Sequence, residues 1–300
     1  TEYRQKLIRS GTSIPATQVF GEYGQINSFY KDTRLGISQT VNFPTVYKRQ
    51  KELLNEEWKS SVLNVGVQET QLKRQVTQVF YTLFYLQQKK TLLQKNDTLF
   101  AEFLDKAMLR FNKGESNILE KTTAENQRGQ IGLQLSQLEK DMELLQLQLQ
   151  LLLNTETVFV PSENETLENN IAGIDTTALV VHPAMQFLKQ QQQIAQAATK
   201  MERSKLSPDI TLGYNITGMK GMGADEKLYN STPRFQAVQV GLGIPIFAGG
   251  QKAKINAAKI NEEVAAKGYE LNLKNFEIAF TSALKQYQKY QEAVAYFENT

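Results

Sequence analysis

The stretch Val238-Gln239-Val240-Gly241-Leu242-Gly243-Ile244-Pro245-Ile246-Phe247-Ala248-Gly249-Gly250-Gln251-Lys252 changes its periodicity halfway along. Val238, Val240, Leu242, Ile244 and Ile246 alternate with Gln239, Gly241, Gly243 and Pro245, the period of two that marks a strand with one apolar face. After Phe247 the alternation stops and a basic helix start follows. The same passage occurs earlier: Leu35, Ile37, Gln39, Val41 and Phe43 alternate with polar or small neighbours, and Pro44-Thr45-Val46-Tyr47-Lys48 opens a helix.

Outward from these junctions the chain repeats itself. Arg9-Ser10-Gly11-Thr12-Ser13-Ile14-Pro15 resembles Arg203-Ser204-Lys205-Leu206-Ser207-Pro208 at an offset of 194. Beyond the junctions an offset of 204 pairs Leu72 with Phe276, Val76 with Phe280 and Phe80 with Leu284. The difference places an insertion of about 10 residues in the Gly218-to-Pro233 loop, which is expected to be flexible and exposed. Ile210, Leu212, Tyr214 and Ile216 supply another alternating strand, and Thr17 to Asn27 a weaker one, because Phe20 and Glu22 share a face. Each strand has the roughly 9–11 residues that cross a bilayer when tilted.

The helical segments are long. From Thr45 to Arg110 only Gly66 interrupts, and Leu72, Val76, Val79, Leu83, Leu86, Leu93, Phe100, Leu104, Ala107 and Phe111 follow a heptad broken at Lys90 and Asp97. Such a helix would measure about 100 Å. A second stripe runs through Phe80, Phe84, Leu92, Leu99 and Phe103. The partner, Ile118 to Leu153, shows Ile131, Leu135, Leu138, Met142, Leu145, Leu149 and Leu152, and a second seam at Leu144, Leu147 and Leu151. Two seams per helix suit a helix with a neighbour on each side, as in the wall of a tube. A soluble helical bundle also has wide apolar faces, so a coiled-coil scaffold that binds partners stays open as an alternative.

Composition narrows the function. The net charge of +3 is too small to argue for nucleic acid, and the absence of cysteine excludes disulfides and thiolate chemistry. Mean hydropathy is −0.42, with no apolar run near the roughly 18 residues of a membrane helix, so any membrane entry must be by β-strands. Thr1-Glu2-Tyr3-Arg4-Gln5 does not read as a signal peptide.

Three stretches resemble the TolC-type outer-membrane efflux family, in particular its heavy-metal (cation) efflux branch: Val240 to Gln251, His182-Pro183, and Arg110-Phe111-Asn112-Lys113-Gly114-Glu115-Ser116-Asn117-Ile118-Leu119-Glu120. The resemblance implies an α+β membrane protein of two tandem repeats. Each is a β-hairpin for a shared trimeric barrel with long coiled-coil helices forming a periplasmic tunnel. It implies a passive exit duct in the outer membrane of a Gram-negative bacterium, working as a homotrimer with a periplasmic adaptor protein and an inner-membrane efflux pump. Outer-membrane lipid would surround it, heavy-metal cations would be among its cargo, and neither enzyme chemistry nor a cofactor would be needed.

On this plan repeat 1 is 1–156, with a helix end 1–14, hairpin 16–43, long helix 45–110, tip turn 111–117 and return helix 118–153. An equatorial linker 157–182 leads to repeat 2, 183–300, with helix 183–205, hairpin 208–247 and long helix 250–300. The offsets map the start of the first half before Thr1, and the second turn with its returning helix beyond Thr300, so both halves are expected to be incomplete. The implied barrel lipid face is Leu35, Ile37, Val41, Leu212, Tyr214, Val238, Val240, Leu242 and Ile244, with Thr40, Thr211, Asn215 and Gln239 facing water. The implied junction is Phe43, Pro44, Pro245, Phe247, Gly249 and Gly250, its glycines letting the chain bend. The implied adaptor-docking tip is Arg110, Phe111, Lys113, Gly114, Glu115 and Ser116, with Ser116 or Asn117 capping the return helix and Arg110, Lys113 and Glu115 projecting.

The remaining motifs carry less. Gly241-Leu242-Gly243 lacks the third glycine of a dinucleotide loop, since Ile246 stands there, and Gln251-Lys252-Ala253 does not complete a P-loop. His182, the only histidine, is expected to be structural beside Pro183, and Met219 and Met222 to be exposed loop residues without a metal. Asn164-Glu165-Thr166 and Asn230-Ser231-Thr232 match a glycosylation pattern that is frequent by chance.

Overall fold

The computed structural model describes residues 1–27, 29–162, 178–232 and 235–298. The chain forms two compact units, residues 1–67 with 174–300, and residues 68–173. Part of the linker 157–182 and the motif at Asn164 lie outside the described residues.

The first unit holds a four-stranded antiparallel sheet, β1 (Gln18–Gly24), β2 (Asp32–Val41), β3 (Asp209–Gly218) and β6 (Phe235–Gly243), in the order β1-β2-β3-β6. The expected flexible loop between β3 and β6 instead carries a small second sheet, β4 (Lys220–Met222) paired with β5 (Leu228–Asn230). Tyr229 Oη donates to Asp225 at 3.0 Å across its turn, which gives this insertion order of its own.

Around the sheet's helical end lie α1 (Glu2–Leu7), a short 3-10 turn (Ile8–Thr12), the start of α2 (Pro44–Asn112), α4 (Ala178–Val181), α5 (Pro183–Ser204) and α6 (Gly249–Glu298). The first helix is thus shorter than 1–14, and the long helices exceed their expected limits by one or two residues at most described ends. The 3-10 turn tightens the chain where Gly11 meets α2: a Cβ there would lie 3.1 Å from the Lys51 backbone. Pro183 stands at the first position of α5, where its missing N–H costs nothing, and the His182 Nδ1 accepts the Ala184 N–H at 3.2 Å. The imidazole also packs 4.6 Å from the Phe276 ring, so His182 is a helix cap.

Polar staples join these helices. Gln190 Nε2 of α5 donates to both the carboxylate (2.6 Å) and the backbone carbonyl (3.1 Å) of Glu56 in α2. Gln251 of α6 does the same to Glu202 of α5, at 2.8 and 2.7 Å. Each glutamate is also paired with the lysine three residues on, Lys59 or Lys205. Arg4 adds an ion pair to Glu57.

The second unit is a helical hairpin of the remainder of α2 and α3 (Ile118–Leu153). Its core is Val79, Leu83 and Leu149, with Val76, Met142, Leu145 and Leu152 packed round them. The run Leu147 to Leu151 is helical, since the heptad continues through it. The heptad breaks have a physical role: Lys90 pairs with Glu139 at 2.8 Å and Asp97 with Arg128 at 3.3 Å, across the hairpin. The second seam is uncovered, Leu151 being 80% exposed with Leu144, Leu147, Leu92 and Leu99 likewise open.

Phe20 accounts for the weak reading of β1. It stands on the polar face because its ring covers Gly36 of β2; a Cβ at Gly36 would lie 2.3 Å from its Cζ. Gly36→Val should cost about 0.5–1 kcal/mol in thermal unfolding, the scale of a lost cross-strand pair, and should be neutral in a Phe20→Ala background. Equal costs in both backgrounds would remove the ring-on-glycine contact from this account.

The staples predict an acid-side loss of stability. Burial raises the Glu56 carboxyl, but hydrogen bonds from Lys59 and Gln190 outweigh it, and the group lies below the usual carboxylate range. Glu202 is lowered in the same way, burial being opposed by Lys205 and Gln251. A carboxyl depressed on folding contributes stability above its unfolded value, which is lost as pH falls through the folded one. The melting temperature should therefore drop on acidification below about pH 4, and the double variant Glu56→Gln/Glu202→Gln should flatten that drop. An unchanged slope in the variant would show that these carboxylates do not set it.

Candidate functional site

Strand register decides which side chains share a face. Ile37 lies opposite Val19 and Tyr214, Tyr214 opposite Val238, Leu212 opposite Val240, and Ile210 opposite both Val41 and Leu242. Leu35, Ile37, Val41, Leu212, Tyr214, Val238, Val240 and Leu242 therefore stand on one face, joined by Val19, Tyr23, Ile210 and Ile216. Ile244 lies one residue past the end of β6. No helix among the described residues covers the face: Val238 is 77% exposed, and Leu35, Leu212, Val240 and Leu242 are more than half exposed. Gln39, a polar residue on it, is satisfied locally by Thr17 Oγ1 at 2.6 Å and by donation to the Pro15 carbonyl at 2.8 Å.

The other face is polar. Thr40 and Thr211 are opposite one another with hydroxyls 2.8 Å apart, and Asn215 and Gln239 stand on the same side. Arg34 and Glu22 form a 3.0 Å ion pair there, neutralising the charge. Among the described residues β1 pairs only with β2 and β6 only with β3, so both outer strands keep one unpaired edge.

At the junctions proline makes the change of direction. Pro44 is the first residue of α2, and Val46 N–H reaches the Phe43 carbonyl at 2.8 Å. On the other side Ile246 N–H donates to the Ile244 carbonyl at 2.8 Å, a three-residue turn centred on Pro245. The expectation that Gly249 and Gly250 supply the bend is corrected: both lie in the first turn of α6 without positive φ, and a Cβ on either would meet nothing within 4 Å. Phe247 is 99% exposed beside the end of the apolar face.

The hairpin turn of the second unit follows from its hydrogen bonds. Gly114 has φ +74, Gly114 N–H bonds to Phe111 O at 3.0 Å, and Glu115 N–H to Arg110 O at 2.9 Å. This is a left-handed helix stop of the Schellman kind, which a side chain at Gly114 would strain. Asn117, not Ser116, caps α3, its side chain accepting Glu120 N–H at 3.2 Å. Arg110 does not project freely: it pairs with Glu120 at 2.9 Å, and Ser116 Oγ bonds the same carboxylate. Lys113 and Glu115 remain exposed at the turn, and Lys121 lies 5.8 Å over the Phe111 ring.

Among the described residues no group of three His, Cys, Asp or Glu side chains could hold a metal ion, and no helix is long and apolar enough to cross a membrane. Sequence reasoning missed Asp32, fully buried at the end of the sheet remote from the helices. It accepts the N–H groups of Asn27 at 2.9 Å and Lys220 at 3.2 Å. The only hint was an acid at the start of an alternating strand.

No protein-family model matches the chain, and no curated protein sequence does. Solved structures do. The outer-membrane channel OprN superposes with a TM-score of 0.79 at 17% identity, covering 97% of this chain and 70% of that one. CusC, described as forming a transmembrane channel, gives 0.73 at 17% identity over 97% and 71%. The outer membrane protein VceC of Vibrio cholerae gives 0.73 at 14% identity over 95% and 73%. The backbone likeness spans nearly the whole chain, and this chain has the fold of these outer-membrane channels.

Proposed function

We propose that the chain is a subunit of a passive exit duct in the outer membrane of a Gram-negative bacterium. The observation that carries this is the sheet: one apolar face open along four strands, one polar face, and two unpaired edges. In water such a face costs about 25 cal/mol per Å² of apolar surface, which argues against a soluble coiled-coil scaffold. In a bilayer it is the required surface, provided the edges pair. Three copies of a four-stranded sheet supply an even-numbered closed barrel, β6 of one copy pairing with β1 of the next. The element order α1-β1-β2-α2 followed by α5-β3-β6-α6 supports two tandem repeats. The uncovered seams at Leu92, Leu99, Leu147 and Leu151 supply the contacts for neighbouring helices of a homotrimeric tunnel wall.

On this reading the duct does no chemistry. Its polar face lets hydrated cargo pass, and the inner-membrane pump, through a periplasmic adaptor, does the selecting. Heavy-metal cations are the cargo that the sequence resemblance implies. The exposed turn at Phe111 to Ser116 is the adaptor-docking tip, because its backbone is self-satisfied and Lys113 and Glu115 point outward for a partner.

Arginine at Leu212 should cost roughly 2–4 kcal/mol if the apolar face meets lipid, whereas Asn215→Arg should be tolerated. Equal yields of membrane-inserted trimer from the two variants would sink the membrane assignment. At the turn, Gly114→Trp should leave trimerisation and conductance intact and abolish export and adaptor cross-linking. Wild-type cross-linking and export by a trimeric Gly114→Trp protein would show that docking happens elsewhere.

A further inference from the structure

The apolar face ends, on the side away from the helices, in a cluster that the duct itself does not need. Continuing the strand register past Leu35 and Thr33 brings Lys31 to the same face, and continuing β3 past Ile216 and Gly218 brings Lys220. Tyr23 stands in the same row as Thr33 and Gly218. The Lys31 ammonium lies 5.7 Å over the Tyr23 ring and that of Lys220 5.9 Å over the Tyr30 ring. With Gln25, Phe29 and Ser231 these residues line a cavity of about 470 Å³. Among the described residues no carboxylate pairs with either ammonium.

Asp32 builds this cluster. Adjacent to Lys31 in sequence, it accepts the Lys220 N–H and the Asn27 N–H from the two loops, and so fixes both lysines at one rim. Its carboxylate is fully buried, so it does not face the cavity. Ser231 Oγ donates to the Lys31 carbonyl at 3.4 Å, drawing the second hairpin's insertion to the same place.

We infer that Lys31 and Lys220, with Tyr23 and Phe29, bind a phosphate-bearing glycolipid headgroup of the outer leaflet. The inference rests on the membrane reading above. Aromatic rings whose bodies are apolar and whose edges are polar belong at a membrane interface, and lysines placed just beyond them attract anionic headgroups. Two cations with no acidic partner fit a phosphate, and the exposed Tyr23 and Phe29 rings fit the acyl-to-sugar boundary beneath it. The occupant is a lipid because the cations cap an apolar face.

The test uses the full chain, extracted from membranes as the assembled protein and analysed by native mass spectrometry with added lipid A. The wild type should retain lipid A, and the Lys31→Gln/Lys220→Gln variant should hold it roughly tenfold more weakly while keeping its assembly state and vesicle flotation. Dephosphorylated lipid A should bind the wild type as weakly as intact lipid A binds the variant. Equal retention by wild type and variant would overturn the inference, as would equal binding of the dephosphorylated lipid. Full competition by millimolar inorganic phosphate alone would also overturn it, leaving a free-phosphate site. A wild type that fails to float with vesicles defeats the membrane reading and this inference together. A floating wild type without headgroup selectivity defeats this inference alone.

Discussion

Backbone hydrogen bonding at the outer strands constrains everything else in this molecule. The sheet of four strands satisfies its interior N–H and C=O groups but, among the described residues, leaves one edge of β1 and one of β6 without partners. Water can supply those partners; hydrocarbon cannot, and each lost bond there costs several kcal/mol. The apolar face and the open edges therefore make opposing demands, because the face favours lipid and the edges forbid it. On the reading proposed above, closure with further copies would remove the conflict, and the polar groups on the sheet already have local partners. Gln39 is already satisfied by Thr17 and Pro15, and Arg34 is paired with Glu22 on the polar side.

Much of the fold was legible because its signals are long and periodic. Alternation over Leu35 to Val41 and Val238 to Ile244 identified strands and faces, and the heptads from Leu72 and Ile131 identified the hairpin helices. What escaped was non-periodic. The pairing of Phe20 with Gly36 is a contact between strands, invisible along one of them, and it made a true strand look irregular. The insertion after β3 looked like a loop because its two strands have only three residues each. Asp32 gave no pattern, since a single buried acid matters through its donors, and one of them, Lys220, lies far away in sequence.

Local chemistry was misassigned where two residue types could do the same job. Glycines beside a strand-to-helix junction suggested a glycine bend, but Pro245 turns the chain with one hydrogen bond and leaves Gly249 and Gly250 helical. Lys90 and Asp97 read as flaws in an apolar stripe. They are the positions at which the hairpin is keyed, because an apolar seam alone tolerates a shift by one heptad and an opposed charge does not. Exposed pairs of this kind add about 0–1 kcal/mol, so their contribution is to alignment more than to stability.

The turn between α2 and α3 closes with its own backbone and the Asn117 cap, and it draws in Arg110 through Glu120. Lys113 and Glu115 join that closure through their backbone N–H groups, and their side chains stay exposed outside it. The groups that hold the turn, its backbone and the Asn117 and Glu120 side chains, are thus distinct from the side chains it exposes. If the turn is the docking tip proposed above, a lineage can rewrite those exposed side chains for a new partner while the backbone keeps the hairpin closed.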